Sequence, residues 1–128
     1  ILFPIHPRTR QKIVEFGLDE TGVTLLDPIG YLDMLYAVKG AALVLTDSGG
    51  LQEETTALGV PCVTIRENTE RPVTVDIGTN YLAGTRPEAI LAASRHILSG
   101  KMKKGTVPPL WDGRAAERIV DIIMKTLT

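Results

Sequence analysis

At 128 residues, 44% hydrophobic and 23% charged, the chain is long enough to form one soluble globular domain with a real core. Fourteen basic against fifteen acidic residues give a formal charge of −1, which excludes the basic stripe of a nucleic-acid binder and offers nothing to a membrane surface. No apolar run approaches the roughly 20 residues of a membrane span, and no charged segment leads into an apolar one as in a secretory leader, so a cytoplasmic address is expected. The single cysteine, Cys62, cannot form an internal disulfide and reads as a buried small hydrophobe. Because the chain opens at Ile1, already inside an apolar run, it is expected to be a piece of a longer protein.

Ile1 to Ile5 is β-branched and aromatic and predicts a buried strand, ended by His6 and Pro7. Residues 8–16 then predict a helix with Ile13 and Phe16 on one face and Gly17 as its stop. Val23 to Leu26 predicts a second strand, after which Asp27 can cap a helix that Pro28 begins. In that helix Leu32, Leu35, Tyr36 and Val38 recur at three and four, the spacing of one buried face. The run Ala41 to Thr46 is the most continuously apolar strand candidate and is expected at the centre of a sheet, covered on both faces. It delivers Asp47-Ser48-Gly49-Gly50 and a helix ending near Leu58 and Gly59.

Pro61 to Ile65 predicts a fourth strand. A polar stretch from Arg66 follows, with a short helix after Pro72. Asn80 to Gly84 is a weaker fifth strand. Residues 87–98 predict a helix with Ile90, Leu91, Ile97 and Leu98 on its apolar face. Beyond a Lys- and Gly-containing stretch, a last helix from about Gly113 to Met124 repeats Ala116, Ile119, Val120 and Ile123 at three and four. Five alternations of strand and helix with short connections predict a parallel, doubly wound α/β sheet, in which ligands bind beyond the carboxyl ends of the strands. His6, Asp27, Asp47 and Arg66 all fall at such ends, as if around one crevice.

The strongest local signal is Asp47-Ser48-Gly49-Gly50-Leu51-Gln52-Glu53-Glu54. A strand running through a Gly-Gly turn into a helix leaves backbone N–H groups bare at the positive end of the helix dipole, a ready phosphate site. The other reading is a tight turn with a routine cap from Ser48. Neither a Walker A loop nor a G-x-G-x-x-G is present. On the helix, Glu54 is expected to share the inward face of Leu51 and Leu58, and Glu53, about 100° round, to face water. Glu54 then either holds ribose hydroxyls or pairs with an arginine. Arg66 and Arg71 bracket Glu67 to Glu70, where a guanidinium can clamp a diphosphate or simply be solvated. His6, locked by Pro7, is aimed at the strand ends, whereas His96 reads as a surface residue. With no cysteine or carboxylate at ligand spacing from either histidine, no metal is predicted, and no nucleophile elbow appears.

Phe3-Pro4-Ile5-His6-Pro7-Arg8-Thr9, the Asp47 to Glu54 motif, Leu58-Gly59-Val60-Pro61 and Arg66-Glu67-Asn68-Thr69-Glu70-Arg71-Pro72 resemble, in order and spacing, the non-hydrolysing UDP-N-acetylglucosamine 2-epimerases. Asp112-Gly113-Arg114-Ala115-Ala116-Glu117-Arg118-Ile119 is similar to that family's last helix. The resemblance implies a three-layer Rossmann-like sheet, residues 1–128 being the second domain of a glycosyltransferase-B-like fold without its first strand and helix. It implies a full-length enzyme, as a homodimer, that interconverts UDP-GlcNAc and UDP-ManNAc by eliminating and re-adding UDP, with no nicotinamide, metal or other cofactor. Carried over, Ser48, Gly49 and Gly50 hold phosphate, Glu54 the ribose, and Arg71 joins the UDP site. Ile29 and Met34 flank the uracil where the family often has Gln and Phe, and His6 contacts nucleotide sugar. The family's catalytic carboxylates and histidine lie upstream, in and after an amino-terminal domain that this chain does not include, so no catalytic residue is expected here. Two rivals stand beside this reading: a glycosyltransferase donor-binding domain, and a non-catalytic nucleotide-sugar sensor.

Overall fold

A computed structural model describes residues 1–127. The chain divides into two compact units, Ile1–Ala37 and Val38–Thr128. In the first unit, β1 (Leu2–Pro4) and β2 (Thr24–Leu26) pair in parallel, with Phe3 opposite Leu25. Between them, α1 (Pro7–Phe16) starts on the fixed φ of Pro7 and stops where Gly17 turns left-handed at φ 57°. The apolar opening is less buried than its composition predicts. Only Ile5 is enclosed, while Ile1, Leu2 and Phe3 are exposed, because the described strand has a single partner and three residues. Phe16 is exposed as well, under the Lys12 ammonium.

The helix expected at Asp27 begins later, as α2 (Tyr31–Lys39). Asp27 does not cap it; its carboxylate takes Arg10 of α1 at 3.2 Å. Leu32 and Tyr36 of α2 are exposed and Val38 is buried.

The second unit is built on β3 (Val44–Thr46), β4 (Cys62–Thr64) and β5 (Asn80–Leu82), parallel and in that order. Within this ladder the centre is β4 and not the more apolar β3, whose Leu45 is 42% exposed. Both α3 (Gly49–Leu58) and α5 (Pro87–Leu98) pack on β4, which is why every residue of that strand is buried. Cys62, Val63, Val60 and Ile97 form the apolar centre, and burial pushes the Cys62 thiol above its ordinary pKa. On α5 the inward residues are Ile90, Ala93, Ser94 and Ile97; Leu91 and Leu98 point out, since a single face of about 100° cannot hold all four predicted apolar positions.

α4 (Pro72–Asp76) is the short helix expected after Pro72. Past it, Gly78 lies so close to α3 that an added Cβ would sit 2.5 Å from Thr56 Cγ2 and 2.7 Å from the Thr74 carbonyl oxygen. The last helix, α6 (Ala115–Leu127), is tied at its start by Asp112, which accepts from the Arg114 N–H and from Arg118 Nη1. Those contacts hold the Asp112 carboxyl below its usual pKa. The predicted stripe Ile119, Val120 and Ile123 is exposed, so α6 has no buried residue among those described.

Candidate functional site

Thr46, at the end of β3, sets the entry to α3. Its hydroxyl accepts from the Ser48 N–H at 3.0 Å, and Ser48 is the N-cap residue with extended backbone. The Ser48 side chain does not cap the helix: its hydroxyl makes no bond to the first-turn N–H groups. Those groups are therefore not consumed by the routine cap the sequence allows. Gly49 and Gly50 have ordinary negative φ, so the turn itself does not demand glycine. An added Cβ at Gly49 would meet nothing within 4 Å, and at Gly50 only the Ser48 hydroxyl at 3.8 Å. The effect of both glycines is to bare the backbone at a helix start, where the dipole favours an anion.

The inward face of α3 differs from the one predicted. Gln52, Thr55 and Thr56 are buried, whereas Leu58 is exposed and Leu51 half-buried. Relative to Gln52, Glu53 lies about 100° and Glu54 about 200° round the helix, so Glu54 is not on the sheet-facing side. Nor does Glu53 face only water. Its Oε1 lies 2.9 Å from Arg71 Nε, an ion pair whose angle falls outside hydrogen-bond alignment. Leucine spacing misled because the helix buries polar side chains, Gln52 bonded to Thr69 and Asn80 and Thr55 to carbonyls of its own helix, a pattern hydrophobic periodicity cannot register. Glu54 is half-buried and has no ion pair among the described residues, so it is not held by an arginine.

Arg71 carries two further contacts, Nη1 to the Glu70 carbonyl oxygen at 3.2 Å and to the Glu70 carboxylate at 4.0 Å. Its Nη2 makes no hydrogen bond among the described residues. Arg71 is thus anchored against α3 through Glu53 and keeps donors for a ligand. Arg66 is half-buried at the carboxyl end of β4, and its carbonyl accepts from the Gly84 N–H. Glu67 turns away to Thr85, accepting from its N–H and hydroxyl, which lower its pKa.

Sequence reasoning gave Gln52, Thr69 and Asn80 no role, yet they link this region. Thr69 Oγ1 donates to Gln52 Oε1 at 2.6 Å, and Asn80 Nδ2 donates to the same oxygen at 3.3 Å. The signal was available only as polar residues at helical spacing next to a polar loop.

His6, Ile29 and Met34 belong to the first unit. His6 is the N-cap residue of α1; its Nδ1 accepts from the Arg8 N–H at 3.2 Å, leaving Nε2 as the outward nitrogen of an exposed ring. Ile29 and Met34 are half-buried, and the Met34 N–H bonds the Gly30 carbonyl in the first turn of α2. His96 is exposed, edge-on to Tyr81 with ring centres 6.4 Å apart. A cavity of about 220 Å³ lies at the amino ends of β4 and β5, among Gly59, Pro61, Thr79, Tyr81, Met102 and Lys103; none of the candidate residues lines it. Among the described residues no cluster of three or more His, Cys, Asp or Glu is placed to hold a metal ion, and no helix is long and apolar enough to cross a membrane.

Comparison with known proteins gives this geometry a context. A UDP-N-acetylglucosamine 2-epimerase of Methanococcus maripaludis is 48% identical over 96% of this chain and 34% of its own length. A UDP-2,3-diacetamido-2,3-dideoxy-D-glucuronate 2-epimerase of Pseudomonas aeruginosa is 39% identical over 98% of this chain and 35% of its own. The crystal structure of Methanocaldococcus jannaschii UDP-GlcNAc 2-epimerase in complex with UDP-GlcNAc and UDP matches 98% of this chain at 42% identity and a TM-score of 0.82, covering 35% of that protein. The chain therefore spans about a third of the length of the curated relatives it matches. The profile of the family described as UDP-N-acetylglucosamine 2-epimerase matches residues 1–124, and the chain belongs to that family.

Proposed function

We propose that this chain is the UDP-holding part of a UDP-GlcNAc 2-epimerase, the second domain of a glycosyltransferase-B-like fold with a three-layer Rossmann-like sheet. The observation that carries it is the match along nearly the whole chain to an epimerase crystallised with UDP-GlcNAc and UDP, together with the bared helix start at Ser48, Gly49 and Gly50. On this reading the diphosphate lies over those backbone N–H groups, with Arg71 supplying charge from the side. Glu54, unpaired on α3, takes the ribose hydroxyls. Ile29 and Met34 flank the uracil, and His6 presents Nε2 to the nucleotide sugar. UDP is the leaving group of the epimerisation, so this chain stabilises the negative charge that develops as the C1–O bond breaks. Proton removal and return at C2 belong to residues outside it. The parent enzyme is read as a cytoplasmic homodimer, with α6 packing its exposed stripe on the amino-terminal domain.

A second reading concerns only the sugar. The Pseudomonas aeruginosa relative acts, by its name, on a diacetamido uronate linked to UDP, and the same UDP-holding residues would serve either nucleotide sugar. The glycosyltransferase donor domain and the non-catalytic sensor are less well supported, since the relatives compared are 2-epimerases; sugar transfer to an acceptor, or a parent without the amino-terminal carboxylates, would revive them. The site is tested by calorimetry of UDP binding to the full-length protein. Glu54→Ala and Arg71→Ala are each expected to weaken UDP about ten- to a hundredfold, the loss of one charged hydrogen bond. Unchanged affinity in both variants would refute the assignment.

A further inference from the structure

Both polar backbone atoms of Arg71 are held by side-chain hydroxyls. Its N–H donates to Thr69 Oγ1 at 3.0 Å, and its carbonyl accepts from Thr74 Oγ1 at 2.7 Å. Each hydroxyl leads back to the same point on α3. Thr69 Oγ1 passes its own proton to Gln52 Oε1 at 2.6 Å. Thr74 Oγ1 accepts from Asn80 Nδ2 at 3.0 Å, and the second proton of that amide goes to Gln52 Oε1 at 3.3 Å. The other end of the Asn80 amide is fixed from β4, where Thr64 Oγ1 donates to Asn80 Oδ1 at 2.7 Å. Donors and acceptors alternate without conflict around the whole ring.

We infer that Gln52, Thr69 and Asn80 are positioning residues, a partly buried ring that fixes the Arg71 backbone to the helix whose start receives the diphosphate. The inference rests on the UDP reading above. Stability alone is a poor reason for the ring. Gln52 is 1% exposed, yet its Nε2 has no partner among the described residues, and an orphaned buried donor weakens a fold. What the ring does achieve is geometric. Gln52 lies on α3 beside Glu53, the residue against which the Arg71 guanidinium rests. Backbone and side chain of Arg71 are thus referred to adjacent positions of one helix, so the arginine cannot drift from the anion site as a free loop residue would.

Thr69 gives the cleanest test, because valine keeps its shape and removes only the hydroxyl, while serine keeps the hydroxyl. In the full-length protein, Thr69→Val is expected to weaken UDP binding about three- to tenfold, with Thr69→Ser at the wild-type value. In an Arg71→Ala background Thr69→Val should cost nothing more, since it acts through Arg71; a merely structural role would give the same loss in both backgrounds and would overturn the inference. So would an Arg71→Ala variant that loses affinity while Thr69→Val does not. An Arg71→Ala variant that binds UDP like the wild type removes Arg71 from the site and overturns the inference, while the rest of the site reading stands or falls with Glu54→Ala. The ring itself is judged by amide hydrogen exchange across residues 69–76, which must quicken in Thr69→Val and not in Thr69→Ser.

Discussion

At Gly49 an added Cβ meets nothing within 4 Å, and the residue's φ is one that any amino acid adopts. Fold and ligand therefore make opposite demands at this position. Alanine is the better helix former, so Gly49→Ala is expected to leave the fold intact or raise its stability by up to about 1 kcal/mol. The methyl group would stand where a phosphate approaches the backbone, and UDP affinity should fall about tenfold. Thermal melting and UDP titration of the same variant check the two halves, and a variant that binds UDP normally sinks the phosphate reading of the turn. The passage from strand through Gly-Gly into helix was legible in advance, because an apolar run, two glycines and a helical period follow one another there. The partners were not. Nothing in the spacing of Glu53 and Glu54 says that Arg71, well beyond them in the chain, takes Glu53 and leaves Glu54 free. That choice depends on where the loop after β4 returns, which is a tertiary fact.

The helices and strands lie close to where periodicity and turn residues predict them, α5 at the same residues, while their buried faces were harder to foresee. α3 turns Gln52, Thr55 and Thr56 inward, each nearly without exposure. Thr55 satisfies its hydroxyl on the Leu51 and Gln52 carbonyls of its own helix, and Gln52 uses Thr69 and Asn80. The Gln52 side-chain oxygen is satisfied only because partners from β5 and the loop arrive together, and a one-dimensional pattern cannot display that. The closeness of α3 to the chain after α4 has its own consequence at Gly78. With Thr56 Cγ2 and Oγ1 both 2.5 Å from an added methyl carbon and the Thr74 carbonyl oxygen at 2.7 Å, Gly78→Ala must push α3 and α4 apart. The expected cost is about 1–3 kcal/mol, the range for overpacking a tight core. Denaturant unfolding would measure it, and a variant as stable as the wild type would show that this approach is looser than the distances imply.

For the whole molecule, the relevant fact is that relatives carrying out 2-epimerisation are about three times as long as this chain. Epimerisation at C2 needs two separable jobs, holding UDP through its departure and return, and moving a proton at the neighbouring carbon on both faces of the sugar. On the proposed reading the first falls to the bare helix N–H groups, the anchored arginine and Glu54, a carboxylate with no ion pair among the described residues. On the same reading the second falls to residues outside this chain. Near the start of α3, Glu53 is committed to Arg71 and Glu67 to Thr85, while Asp47 and Glu54 have no ion pair among the described residues, and the UDP reading assigns Glu54 to ribose. The exposed stripe of Ile119, Val120, Ile122 and Ile123 on α6 is consistent with a chain that completes its apolar surface elsewhere. The 128 residues alone are therefore expected to bind UDP and to leave UDP-GlcNAc unconverted, while the full-length protein converts it, as followed by separating the two UDP-sugars after incubation. Conversion by the isolated chain would mean that the proton-transfer groups lie within it, and would move Glu54 or His6 from ligand binding into the chemistry.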